Sequence, residues 1–166
     1  MPFRLALNLK PELPQLAWLA EVDRAAGLVR VAHGASLETA PEWAVEGVWE
    51  GDFAAGEFHQ AENFFGSGIR LVGDEVHFVP STASIDRLLY CELDGLALVS
   101  NSLPLLLART GAQLDDGHDY WRECLSIIKG VDRHDRRFQV VHPTLDRLEQ
   151  VFYQNIVIGQ GPTRYE

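Results

Sequence analysis

Four short apolar segments, joined in pairs by tight turns, constrain the fold more than any other feature of this sequence. The segments cover residues 69–72, 75–79, 88–92 and 96–100. Gly73-Asp74 separates the first two segments, and Asp94-Gly95 separates the last two. Glycine accepts the positive φ that a two-residue hairpin turn requires, so both dipeptides are typical of such turns. We therefore predict an antiparallel meander over residues 68–100.

The remaining segments mix strands and helices in an irregular order. Patterns of apolar residues predict strands at 3–8, at 28–32 and, more loosely, over 137–158. Helical spacing predicts helices at 13–26, 103–109 and 119–129. Pro14 and Gly27 flank the first of these, as expected for the ends of a short helix. Because strands and helices do not alternate regularly, we predict an α+β fold rather than a parallel sheet.

The length of the chain indicates a single domain. It has 166 residues, and domains usually run to about 100–200 residues. We expect residues 1–158 to form that domain. Residues 159–166, with the sequence GQGPTRYE, are rich in Gly and lack an apolar face, so we expect a tail or linker there.

The charge balance and the cysteine content exclude several classes of partner and compartment. The chain has 14 Lys plus Arg against 24 Asp plus Glu, a formal net charge of −10. Such a field repels phosphate backbones and anionic lipids, so we expect neither nucleic acid nor a membrane as partner. No apolar run reaches the roughly 18 residues of a membrane span. The start lacks the layout of a signal peptide, so we expect a cytoplasmic protein in which Cys91 and Cys124 are reduced, buried thiols.

The acidic residues are concentrated in one aromatic segment. Between Arg30 and Arg70 there are seven Asp or Glu residues and no Lys or Arg. Trp and Phe side chains in the same segment can bury enough apolar area to keep it ordered. The segment is either a solvated face of the domain or a surface that meets a partner domain.

No motif indicates a metal, cofactor or phosphate site. The six histidines are scattered, and the G-x-G triplets at 66–68 and 159–161 do not continue into a nucleotide-binding pattern. The acidic cluster at 115–119 lies at a predicted helix start, where carboxylates favour the positive end of the helix dipole. We therefore predict no metal and no cofactor.

The Met-Pro start allows an enzymatic alternative. Removal of the initiator Met would expose Pro2 as a secondary amine, followed directly by a predicted strand. Over the first 25 residues this pattern resembles the tautomerase superfamily, in which an N-terminal proline acts as general base. The resemblance implies a tautomerase-like enzyme that uses Pro2.

Residues 66–108 carry a second and longer resemblance. They read GSGIRLVGDEVHFVPSTASIDRLLYCELDGLALVSNSLPLLLA, and they contain two matching segments, 85–90 and 96–107. The region resembles the glutamine-hydrolysing N-terminal domain of asparagine synthetase and related class II amidotransferases, with its segments R-D-x-x-G-x-x-P-L-Y-Y and L-x-F-A-S-E-x-K-A-L-L. The resemblance implies an Ntn-hydrolase-like fold, an αββα sandwich of two mainly antiparallel sheets between helical layers.

The chain departs from this family at the positions that catalyse. In the family a Cys at position 2 attacks glutamine and its own amine serves as base, whereas position 2 here is Pro. The glutamine-holding segments R-G-P-D, N-G-E and G-S-D-x-E are absent, as is the S-G-G-x-D-S loop of the synthetase domain. We therefore expect a catalytically inactive domain. Its role would be structural or regulatory, beside a synthetase-like, ATP-dependent amide-forming domain in the same or another chain.

A small-molecule-binding module is the alternative from a different class. The candidate ligand-binding residues are Asp86, Arg87, Ser100 and Asn101, beside the region of the family's cleft. Asp86 and Arg87 more simply belong to an exposed loop or an ion pair, and Ser100 to a cap between a strand and a helix. The sequence also allows a homo-oligomer.

Overall fold

The chain folds mainly into strands, with few helices between them. A computed structural model describes residues 2–83, 86–145 and 147–166; Ile85, at the start of the first matching segment, lies outside them. The strands are β1 Arg4–Leu9, β2 Trp18–Asp23, β3 Leu28–His33, β4 Glu38–Ala40, β5 Trp43–Trp49, β6 Phe64–Val72, β7 Glu75–Val79, β8 Leu88–Leu93, β9 Leu96–Ser100, β10 Arg137–Phe138, β11 Leu148–Val151, β12 Ile156–Ile158 and β13 Arg164–Tyr165. The α-helices are α1 Leu103–Thr110 and α2 Tyr120–Cys124, and 3-10 segments lie at Phe53–Ala55, Phe58–Gln60, Leu125–Lys129 and Val131–Arg133. None of the helices in the described ranges has the length and apolar character needed to cross a membrane.

The strands form two sheets that pack face to face. The first sheet has the order β1-β3-β2-β9-β8-β11-β10, and the second has the order β13-β12-β7-β6-β5-β4. Neighbouring strands described in these sheets are antiparallel, apart from the parallel pair β1 and β3. Trp18 of β2 stacks on Phe78 of β7, with ring centroids 6.2 Å apart, and so joins the two sheets. The predicted α+β fold with two mainly antiparallel sheets is therefore confirmed.

The outer faces of the sandwich carry little helical cover. On the first sheet, Leu98 of β9 points outward and packs with Leu106 of α1, whereas its neighbour Val99 faces the second sheet. On the second sheet, Phe58 of a 3-10 segment stacks on Phe64 of β6. The helical layers are thus minimal: α1 and short segments take the place of long helices.

Both predicted hairpins are present, but they belong to different sheets. β6 pairs with β7 in the second sheet, and β8 pairs with β9 in the first. Asp94 and Gly95 have φ values of 53° and 78°, which is the backbone of a type I′ turn. The single meander predicted over 68–100 is wrong, because the chain changes sheet between β7 and β8. Turn chemistry is local, whereas the choice of sheet depends on packing between distant residues.

The helix predicted at 13–26 is wrong, because the centre of that segment is the strand β2. This strand pairs with β3 on one side and with β9 on the other. Trp18, Ala20 and Val22 alternate along its inner face and are fully buried. Burial of that face in a central strand outweighs the helix propensity of Leu and Ala. Pro14 lies before the strand, where its carbonyl accepts a hydrogen bond from the Ala17 backbone N–H.

The C-terminal third agrees with the predictions only in part. The strand-like segment 137–158 holds β10, β11 and β12, but β11 belongs to the first sheet and β12 to the second. Residues 159–166, predicted as a tail or linker, include β13, which pairs with β12 and places Tyr165 against the core. The helix predicted at 119–129 is divided into α2 and a 3-10 segment, and Trp121 and Ile128 on it are 74% and 77% exposed.

Candidate functional site

A cavity of about 210 Å³ opens at one end of the sandwich, where β2 and β8 begin and β7 and β9 end. Its wall combines carboxylate, guanidinium, amide and hydroxyl groups. The polar side chains that line it are those of Glu46, Ser67, Ser81, Asp86, Arg87 and Asn101. Three of the four predicted ligand-binding residues therefore come together here.

Ser100, the fourth predicted residue, holds elements together instead of lining the cavity. It is fully buried at the end of β9. Its hydroxyl donates to the backbone carbonyl of Trp18 at 2.6 Å and accepts from the backbone N–H of Ser102 at 2.9 Å. Ser100 thus connects β9 to β2 and to the start of α1. It lies between a strand and a helix, the position that the sequence predicted as the alternative to ligand binding.

A chain of hydrogen bonds fixes the carboxylate of Glu46 at the cavity. The indole N–H of Trp18 donates to Ser67 Oγ at 2.9 Å, and Ser67 Oγ donates to Glu46 Oε1 at 2.7 Å. Asn101 is held by Trp18 N, which donates to its Oδ1 at 2.9 Å, and by its own bond to the Leu16 carbonyl at 3.0 Å. Its Nδ2 lies 3.5 Å from Glu46 Oε1. The network joins both sheets to one acidic side chain.

The environment of Glu46 raises the pKa of its carboxyl group. Burial raises the pKa of its carboxyl group above the usual value, and the nearby charge of Asp86 raises that pKa further. The hydrogen bonds from Ser67 and Asn101 act in the opposite direction and are outweighed. A cation in the cavity would act against the effects of burial and of Asp86 and would stabilise the ionised form of that carboxylate.

Asp86 and Arg87 lie side by side at the mouth of the cavity. Asp86 is exposed, and Arg87 is half-buried with its guanidinium carbon 5.8 Å from the ring centroid of Phe138. Arg87 Nε is buried and has no hydrogen-bond partner among the described residues. Among the described residues, Asp86 and Arg87 do not form an ion pair with each other. The two side chains therefore present opposite charges to the cavity rather than to each other.

Sequence reasoning missed Glu46 and Ser67 as site residues. Both lie in the acidic, aromatic segment, in which no strand was predicted between residues 33 and 68. The signal that could have found them is alternation: Ala44, Glu46 and Val48 share one face of β5, so a carboxylate stands between two apolar residues. Only the structure shows why Gly66 precedes Ser67: a Cβ at this position would lie 2.0 Å from the Glu46 carbonyl oxygen.

Neither thiol is placed for chemistry at the cavity. Cys91 is buried between the first sheet and α1, as predicted, and burial raises the pKa of its thiol to about 12. Cys124 is only half-buried, with its Sγ 3.7 Å from Gln150 Oε1. Neither residue lines the cavity. A thiol nucleophile needs a lowered pKa and access to the substrate, and Cys91 has neither.

Pro2 lies at the opposite end of the first sheet from the cavity. It is exposed and precedes β1, whose first residue, Arg4, is in register with Leu28 of β3. The far end of β3, His33, pairs with Trp18, which belongs to the network at the cavity. The length of β3, about 17 Å at 3.3 Å per residue, therefore separates the chain start from the cavity.

The acidic cluster at 115–119 serves the local backbone. Asp115 Oδ1 accepts from the backbone N–H of Gly117 at 2.9 Å, and Asp119 Oδ1 accepts from Arg122 N at 3.1 Å as the N-cap of α2. His118 contacts Glu123. Within the described residues there is no group of three or more His, Cys, Asp or Glu side chains arranged to hold a metal ion.

Comparison with known proteins identified no relative of this chain. No protein-family model matches the chain, and no curated protein or solved structure matches it either.

Proposed function

We propose that this chain is a catalytically silent amidotransferase-like domain whose cavity serves as a binding site for a small polar molecule. The observation that carries the proposal is the convergence of Asp86, Arg87 and Asn101 with Glu46 in one cavity that no cysteine lines. The proposed architecture is a reduced αββα sandwich, in which α1 covers one sheet and 3-10 segments cover the other. Its resemblance to the amidotransferase family rests on residues 66–108.

The cavity is suited to a charged ligand of modest size. Its volume of about 210 Å³ is below the range of roughly 300–1,000 Å³ that is usual for drug-sized ligands. Glu46 and Asp86 can accept hydrogen bonds from an ammonium group, and Arg87 can donate to an anionic or carbonyl oxygen. Because the Trp18 network already holds Glu46 and Asn101 in place, little further ordering is needed for binding.

The biological role that we propose is structural or regulatory. The domain would pack against an ATP-dependent amide-forming domain, in the same or another chain. Ligand binding in the cavity would then regulate that domain. The exposed side chains of Trp121 and Ile128 provide apolar area for such a contact. The length of β3, about 17 Å at 3.3 Å per residue, lies between the start of β1, just after Pro2, and the cavity, and this separation favours a binding role over chemistry at Pro2.

We expect the purified chain to release no ammonia from glutamine above the uncatalysed background. The reason is that the thiol of Cys91 is buried and protonated at neutral pH, while position 2 carries no sulfur. A coupled ammonia assay at millimolar glutamine measures this directly. Turnover that disappears in a Cys91→Ser or Cys124→Ser variant would contradict the silent-domain proposal.

We expect a ligand of the cavity to raise the melting temperature of the chain. At a concentration one hundred times its Kd, a ligand stabilises the folded state by about 2.7 kcal/mol. For a protein of this size that corresponds to a rise in Tm of roughly 5–10 °C. Thermal denaturation with a panel of ammonium, carboxylate and neutral amide metabolites measures the shift.

Two variants assign that shift to the cavity. Glu46→Gln keeps the shape of the side chain but removes its charge, and should abolish the shift caused by ammonium ligands. Glu38→Gln, an exposed residue of β4, makes the same chemical change away from the cavity and should leave the shift unchanged. Equal shifts in both variants, or no shift with the whole panel, would count against a binding role.

A further inference from the structure

The inner face of the second sheet extends beyond the first sheet and leaves apolar residues uncovered. Along β5 the inner face runs from Ala44, which is buried, through Glu46 to Val48, which is 65% exposed. Along β6 it runs from Ile69, which is buried, through Ser67 to Phe65, which is 55% exposed. Side chains alternate between the faces of a strand, so each of these series lies on one side of the sheet.

Val48 and Phe65 together form what we call the apolar ledge. They are paired directly across β5 and β6. Each stands two residues beyond a cavity-lining side chain, Glu46 or Ser67, and therefore about 7 Å from it. The hydrogen bond from Trp18 to Ser67 shows that the first sheet still covers the position just before the ledge. The ledge is thus an uncovered continuation of the cavity wall.

The charges at the cavity indicate which polar group would lie next to the ledge. Two carboxylates, Glu46 and Asp86, line the cavity against one guanidinium, that of Arg87. Among the described residues, neither carboxylate forms a recorded ion pair. A ligand cation would relieve the repulsion between them.

We infer that the cavity and the apolar ledge form one site for a primary amine that carries an alkyl or aryl group. Its ammonium group would donate hydrogen bonds to Glu46 and Asp86, and its alkyl or aryl group would lie on Val48 and Phe65. The inference rests on the proposed binding function and narrows its ligand class, because a fully polar ligand would leave the ledge uncovered. An apolar acid or alcohol has the tail but lacks the cation.

A homologous series of amines tests this site on the whole chain. Isothermal titration with ethylamine, butylamine and hexylamine should show Kd falling about twofold for each added methylene, since the ledge covers only one side of the alkyl group. Hexanol and hexanoate carry the same tail without the ammonium group. Both should bind at least tenfold more weakly than hexylamine.

Variants separate the tail from the head group. Val48→Ser and Phe65→Ser should make hexylamine bind no better than ethylamine while leaving ethylamine affinity unchanged. Glu46→Gln should weaken every amine in the series. Ile128→Ser removes an apolar side chain that is even more exposed, on the 3-10 segment after α2, and should preserve the full dependence on chain length. Val48→Thr keeps the β-branched shape suited to a strand, and it replaces Val48→Ser in this test if the serine variant does not fold.

The outcomes distinguish this inference from the proposed function beneath it. Amines that bind with no dependence on chain length would overturn the inference and leave the binding function standing. A concentration-dependent dimer that Val48→Ser abolishes would overturn it too, because a second copy would then cover the ledge. If no metabolite of any class binds, the proposed function itself fails.

Discussion

Replacing Trp18 with alanine is expected to lower the free energy of unfolding by about 3–5 kcal/mol. Trp18 is fully buried between the two sheets, where it stacks on Phe78. Its removal leaves a cavity that the surrounding strands cannot close, and takes away the indole donor to Ser67. Because Ser67 in turn holds Glu46, the same substitution should also weaken binding at the cavity.

The sequence contains a matched control for this prediction. Trp121 is 74% exposed on α2, so Trp121→Ala makes the same chemical change without opening a core cavity. We expect it to change stability by no more than about 0.5 kcal/mol. Urea denaturation followed by far-ultraviolet circular dichroism compares the two variants. Losses of similar size in both would show that Trp18 does not join the sheets as described.

Replacing Gly66 with alanine is expected to cost about 2–5 kcal/mol of stability. Gly66 has a φ of 136°, which side-chain-bearing residues rarely adopt. Its new Cβ would also lie 2.0 Å from the carbonyl oxygen of Glu46 on the paired strand. The backbones of β5 and β6 would have to separate, and the cavity carboxylate would move with them.

The control for this second prediction is Gly117→Ala. Gly117 is exposed, its φ is not in the positive region, and the nearest atom to an added Cβ is the side-chain oxygen of Asp115 at 3.4 Å. We expect a change within about 0.5 kcal/mol. Chemical denaturation and ammonium-ligand binding should be measured on both variants. Retention of both properties in Gly66→Ala would show that the close approach of β5 and β6 is not needed.

Local sequence signals predicted the hairpins and one helix well. The turns at Gly73 and Asp94-Gly95 lie where glycine and aspartate allow positive φ, and α1 ends at Gly111 with φ of 74°. Helical spacing predicted a helix over 13–26, however, because Leu and Ala in that segment suit a helix as well as a buried strand. Only contacts with β3 and β9 make 18–23 a strand.

Only part of the candidate site could be predicted from the sequence. Asp86, Arg87 and Asn101 were predicted from the sequence of residues 66–108, and they meet at the cavity. Glu46 belongs to β5, for which no strand was predicted, and Ser67 lies in β6 two residues before the strand predicted at 69–72. Ser100, although it stands next to Asn101, uses its hydroxyl to bind the backbone of Trp18 and Ser102. β9 ends at Ser100 and Asn101 follows it, so proximity in sequence does not decide which of the two lines the cavity.

The sequence by itself determined the turn positions, the α+β character and the absence of a thiol at position 2, because each depends on neighbouring residues or on composition. Only the tertiary structure decided that the hairpins enter different sheets, that the last eight residues add a strand, and that Glu46 faces a cavity. These outcomes depend on contacts between residues far apart in the chain, such as Trp18 with Phe78 and with Ser67. Burial of apolar surface selects among arrangements that local preferences leave equally favourable.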